Sequence, residues 1–74
     1  MNAVERFLQY LAELVRIAGL YRGGHIERDL AKSTMMPWAL KLVYVLLDEM
    51  TADDVAEACR RHPDAERVIG YARA

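Results

Sequence analysis

Between Met35 and Leu47 the chain carries a single charge, Lys41, in thirteen residues, and at helical spacing this leaves an element apolar on nearly every side. Such a helix wants neighbours all round. Thirteen residues fall short of the roughly 20 needed to cross a bilayer, so the expected cover is protein and the expected place is the middle of a bundle. No membrane is expected. Lys41, Tyr44 and Asp48 mark one thin wet stripe along this helix, and Leu42, Val45 and Leu46, on the side without a polar stripe, are the expected centre of the core.

The remaining sequence supplies further helices around it. Asn2, with Glu5 three residues on, reads as an N-cap with a capping-box partner. From there Val4, Phe7, Leu8, Leu11, Leu14, Val15 and Ala18 recur at three- and four-residue spacing, opposite Glu5, Gln9, Glu13 and Arg16. Tyr10, Ile17 and Tyr21 widen that stripe beyond what one neighbour covers, and Gly23-Gly24 stops the helix. His25 to Ala31 reads as a short helix with Ile26 and Leu30 inward. Ser33 and Thr34 then read as the cap of the apolar helix; with Thr34 as N-cap, Pro37 falls at the third helical position, where no intrahelical N–H is lost.

Thr51 and Asp54 cap a further helix with Val55, Ala58 and Cys59 inward, and Asp53 and Asp54 suit the positive end of its dipole. His62-Pro63 breaks it, with Pro63 suited to the first turn of the next helix. Ala65, Val68, Ile69 and Ala72 stripe that last helix. No strand-like alternation, internal repeat or linker is present. The expectation is one all-α domain over residues 1–74, a compact bundle of four to five short helices with a central, almost fully apolar one.

Composition then bears on what such a bundle does. The 74 residues are 54% hydrophobic, a share unchanged when the four Gly are counted in place of the four Tyr, against about 45–50% for ordinary globular chains. A short chain has the most surface per volume and the fewest buried sites, so something beyond a single copy is expected to cover the excess. The lone Cys59 closes no internal disulfide, and a core alone rarely supplies more than about 3–5 kcal/mol at this size, which leaves oligomerisation as the remaining support. Glu5 and Arg6 interrupt the N-terminal apolar residues and no small-residue cleavage site comes after an apolar run, so no signal peptide is expected. The expected setting is reducing and cytoplasmic. The net charge of −1 offers no basic field for nucleic acid or anionic lipid.

Few constellations carry chemistry. Cys59 and His62 at i, i+3, with His25 and Asp29 at i, i+4, make four ligand types, but the pairs come from unrelated segments and Cys59 falls on an apolar stripe. No metal or cofactor is expected. A Cys/His nucleophile pair finds no orienting third group, and 74 residues leave little room for a substrate pocket, so no catalytic residues are assigned and no enzyme is expected.

The run Asp54-Val55-Ala56-Glu57-Ala58-Cys59 resembles the first helix of a lactose-repressor-type helix-turn-helix. The likeness spans about six residues. Arg60 stands where that family turns on Gly, Arg61 at its buried turn position, and Glu66 near its recognition-helix core position. From Thr51 onward four arginines face five carboxylates, a net of −1, whereas groove entry needs phosphate contacts. A small nucleic-acid-binding regulator using the last two helices is thus the alternative, and nucleic acid is not the expected partner.

Met35, Met36, Pro37 and Trp38 form an aromatic-thioether cluster of the kind that fills irregular pockets and anchors interfaces. With Tyr10, Tyr21 and Tyr44 it makes the candidate partner-binding set. The function expected is non-enzymatic: a protein–protein interaction module, a small self-associating regulator, adaptor or inhibitor that binds a larger protein. The expected partners are a protein and further copies of the chain.

Overall fold

The computed structural model describes residues 1–74 and contains four helices and no strand. The first, α1, runs from Ala3 to Arg22. Asn2 caps it, accepting the Glu5 N–H on its side chain at 2.8 Å, while the reciprocal bond from the Glu5 carboxylate is not formed. At the other end Gly24 takes φ +76°, the His25 N–H reaches the Leu20 carbonyl and the Gly24 N–H that of Tyr21. This pair of bonds is the Schellman stop, which needs a left-handed residue and finds glycine there.

The second helix, α2, corrects two expectations at once. It spans Arg28–Asp48, so the separate short helix at His25 to Ala31 does not exist, and Ser33 and Thr34 lie inside α2 instead of capping it. Pro37 therefore sits mid-helix. Its ring removes the N–H that bonds the Ser33 carbonyl, a change that costs a helix interior about 3 kcal/mol. Packing of the far side offsets this: Ala31, Leu42, Val45 and Leu46 are buried against the rest of the fold.

A short loop folds α1 and α2 into an antiparallel hairpin, the principal pairing of the molecule. Its open end is tied by Arg6, near the start of α1, which donates to the carboxylate of Glu49 at the end of α2 with one N–O distance of 3.0 Å. Helix α3 (Ala52–Arg61) begins with a complete capping box: the Thr51 hydroxyl accepts the Asp54 N–H and the Asp54 carboxylate accepts the Thr51 N–H. His62 is extended, as the residue before proline must be, and Pro63 lies in the turn ahead of α4 (Ala65–Arg73), not in its first turn as expected.

These two short helices cover one flank of the hairpin. Val4, Phe7 and Leu11 of α1 join Leu42, Val45 and Leu46 of α2, Ala58 of α3, and Ala65 and Ile69 of α4 in one core. Ala58 and Ala65 are fully buried; with only a methyl group to place, they let the backbones of α3 and α4 come close. Val15, expected inward, is exposed, whereas Ile17 is buried.

The covering is incomplete. Only 11 of 74 residues are buried, and the accessible surface of 5080 Å² exceeds the roughly 4,700 Å² expected of a closed monomer of this mass. The radius of gyration, 12.4 Å, exceeds the expected value of about 11 Å in the same sense.

Candidate functional site

The missing cover lies along α2. Taking 100° per residue, Ala31, Leu42, Val45 and Leu46 face the core, and Leu30, Ser33, Pro37, Leu40, Tyr44 and Leu47 fall on the opposite side. All six are exposed, and the apolar ones are heavily so, from 49% at Leu30 to 65% at Tyr44. Met36 flanks them at 55%. The helix that wanted neighbours on every side has them on one.

The expected wet stripe is real but not alone. Lys41, Tyr44 and Asp48 are exposed as expected, yet Leu40 and Leu47 share that surface, so the reading of Met35 to Leu47 as wholly buried is corrected. The exposed positions 30, 33, 37, 40, 44 and 47 step by three and four alternately, the spacing of a seam between two helices. From Leu30 to Leu47 the seam is about 26 Å long. A shallow depression beside Pro37 interrupts it, bordered by Asp29, Lys32, Ser33, Met36 and Leu40.

The aromatic and thioether residues singled out from the sequence do not form one patch. Met36 and Tyr44 lie on the outer face. Trp38 is half-buried between α1 and α2, its ring 6.1 Å from that of Tyr10, and the Lys41 Nζ lies over the Trp38 ring at 4.8 Å from its centre. That tilted pair and the cation above it fasten the hairpin. Met35 borders a groove of about 310 Å³ between α1, α2 and α4, whose rim carries Arg22, Asp64 and Arg67. Tyr21 is exposed near the end of α1. Sequence reasoning missed Leu30, Leu40 and Leu47; the signal that holds them is the alternating spacing, masked by equally apolar residues on the core side.

The electrostatics of the molecule are those of a surface. No polar or charged side chain is buried, and no three His, Cys, Asp or Glu side chains converge as metal ligands. Cys59 is a free, half-buried thiol. The Arg6 guanidinium, hydrogen-bonded to Glu49, holds that carboxyl below the usual glutamate range, and Glu49 in turn raises Arg6. In α3, Arg61 is engaged by Glu57 at 3.2 Å.

Two further findings bear on what this face could meet. α2, with 21 residues and a mean hydropathy of 1.2 over its most apolar window, is long and apolar enough to cross a membrane, so the exclusion based on thirteen residues does not hold on length. Compared with known proteins, the chain matches no family model, no curated protein and no solved structure.

Proposed function

We propose that this protein works by binding, as a self-associating helical interaction module whose contact surface is the outer face of α2. The observation that carries this reading is the exposed apolar row of Leu30, Leu40, Tyr44 and Leu47 on a helix whose other side builds the core. Patches beyond a few hundred square ångströms on a small monomer mark interaction sites. Activity without turnover fits the same surface, because catalytic groups are tuned by burial and here no polar side chain is buried. In this reading the chain is a small cytoplasmic regulator, adaptor or inhibitor.

A protein partner fits this face better than lipid. Asp29, Lys32, Lys41 and Asp48 stand along α2, and its inner side is committed to α1, whose own outer surface carries Glu5, Gln9 and Arg16. Charges at such density are expensive in hydrocarbon. Nucleic acid is the weaker alternative, since the last two helices carry no net positive charge and Arg61 is already paired.

Sedimentation velocity from about 5 to 500 micromolar tests the reading, with Leu40→Asp as the control that places a charge at the seam's centre. The wild type should move from 8.5 kDa towards multiples of that mass, and the variant should stay single while remaining helical. A constant 8.5 kDa for the wild type, with co-flotation on phosphatidylcholine vesicles or salt-sensitive retention on heparin, would move the assignment to lipid or to nucleic acid.

A further inference from the structure

We infer that the occupant of this face is a second copy of the chain, docked with its α2 antiparallel to the first across a two-fold axis between the levels of Pro37 and Leu40. This rests on the reading of the outer face as an interaction surface, and it specifies the partner and the orientation. Area comes first. The exposed parts of Leu30, Met36, Leu40, Tyr44 and Leu47 present on the order of 600 Å² per copy, so complete mutual burial removes at most on the order of 1,200 Å², where stable interfaces begin. The seam is just large enough when it is covered by itself.

Orientation is set by the order of side chains along the seam. Antiparallel pairing sets Leu30 opposite the partner's Leu47, Ser33 opposite the partner's Tyr44, and Pro37 opposite the partner's Leu40. A smaller side chain faces a larger one at the two inner levels, and leucine meets leucine at the ends. Parallel pairing would instead set Ser33 against the partner's Ser33 and Tyr44 against the partner's Tyr44, leaving a gap at one end and crowding at the other. Opposed helix dipoles favour the antiparallel arrangement as well.

The mid-helix proline adds a specific contact. Pro37 has no N–H for the Ser33 carbonyl, and Ser33 and Pro37 both lie on the exposed side of α2. The Ser33 hydroxyl does not fill the gap, because it donates backwards to the Leu30 carbonyl at 3.1 Å. An acceptor without its helical donor therefore stands at the level where the antiparallel seam delivers the partner's Tyr44 hydroxyl. The Tyr44 O–H donates to the Ser33 carbonyl across the axis, twice per dimer.

Two measurements test this. In a Cys59→Ser background, Leu30→Cys and Leu47→Cys chains should form a disulfide when mixed and oxidised, and neither should link to itself. Independently, Tyr44→Phe should raise the dimer Kd on the order of tenfold in the native sequence, two hydrogen bonds being lost, but less than about threefold in a Pro37→Ala background, where residue 37 regains its N–H. Self-linking of each single cysteine chain, or an equal Tyr44→Phe effect in both backgrounds, would overturn the antiparallel pairing and leave the interaction face standing. A wild-type mass of 8.5 kDa at every concentration would overturn both.

Discussion

Leu46 and Leu47 are neighbours in sequence on the same helix, yet one is 3% exposed and the other 64% exposed, so truncating each to Ala separates the fold from the proposed interface. Leu46 lies in the core cluster with Leu42, Val45 and Phe7. Deleting its branched end leaves a cavity and costs about 2–5 kcal/mol, comparable with the whole stability of a chain this small. Helix propensity does not intrude, because Ala is at least as good a helix former as Leu. Leu46→Ala should therefore lower the thermal midpoint by at least about 10 °C, read by circular dichroism on dilute protein. Leu47 has only about a third of its surface covered, so its truncation should cost the single copy less than about 1 kcal/mol. In the proposed dimer the rest of that side chain would be buried in both copies, and losing it twice should cost at least about 2 kcal/mol, a thirtyfold rise in Kd. Sedimentation measures the second effect, and circular dichroism at low concentration the first. A Leu47→Ala chain that unfolds like Leu46→Ala, or a Leu46→Ala chain that melts within a few degrees of wild type, refutes the division of α2 into two faces.

Trp38→Ala should destabilise the hairpin, removing the ring packed on Tyr10 and under Lys41, so that any loss of self-association tracks loss of helicity; weakened association in a fully folded variant would return Trp38 to the interface itself. Because Arg6 lowers the Glu49 pKa in the folded chain, that pair's contribution is present above the unfolded glutamate value of about 4.3 and fades as pH falls through the lower folded value. Glu49→Gln should then flatten the stability–pH curve below about pH 4.5, and an unchanged acid limb would show the pair to be energetically silent. Thr51→Ala removes one half of the α3 capping box and should cost about 1 kcal/mol in urea unfolding, with Thr51→Ser restoring most of it.

Local chemistry made much of this fold legible in the sequence. The Asn2 cap, the Gly23-Gly24 stop, the Thr51 and Asp54 box, and the break at His62-Pro63 all act within a few residues, and each stands at a helix end in the fold. The core positions Leu42, Val45 and Leu46 were legible because a charge-free side of a helix is a short-range pattern too. What failed was Pro37. Local rules place a proline near a helix start, and only the burial of Ala31, Leu42, Val45 and Leu46 along one side carries α2 back to Arg28 through it. The outer seam was hidden for a related reason: a helix apolar all round has no preferred face in sequence, and the face left bare depends on how many neighbours the chain can supply.

That count of neighbours also ties stability to the surface it leaves open. α3 and α4 together contribute three buried residues to the core, Ala58, Ala65 and Ile69, and are too short to wrap the hairpin on both sides. A chain of this length has two ways to treat the bare side of α2: make it polar, as a monomer would, or keep it apolar at the cost of needing company. Leu40, Tyr44 and Leu47 leave that side apolar, which the proposed pairing reads as the second course. Pro37 belongs to the same choice, since a mid-helix proline on a solvated face gives up helix stability for nothing, whereas on a paired face it leaves a carbonyl for the partner. On the proposed pairing, dimerisation stabilises each copy by mass action, so the folded fraction should rise with protein concentration. The melting midpoint of the wild type should accordingly climb between about 5 and 500 micromolar, while that of Leu40→Asp stays fixed, and a concentration-independent wild-type midpoint would separate the open face from the stability of the fold.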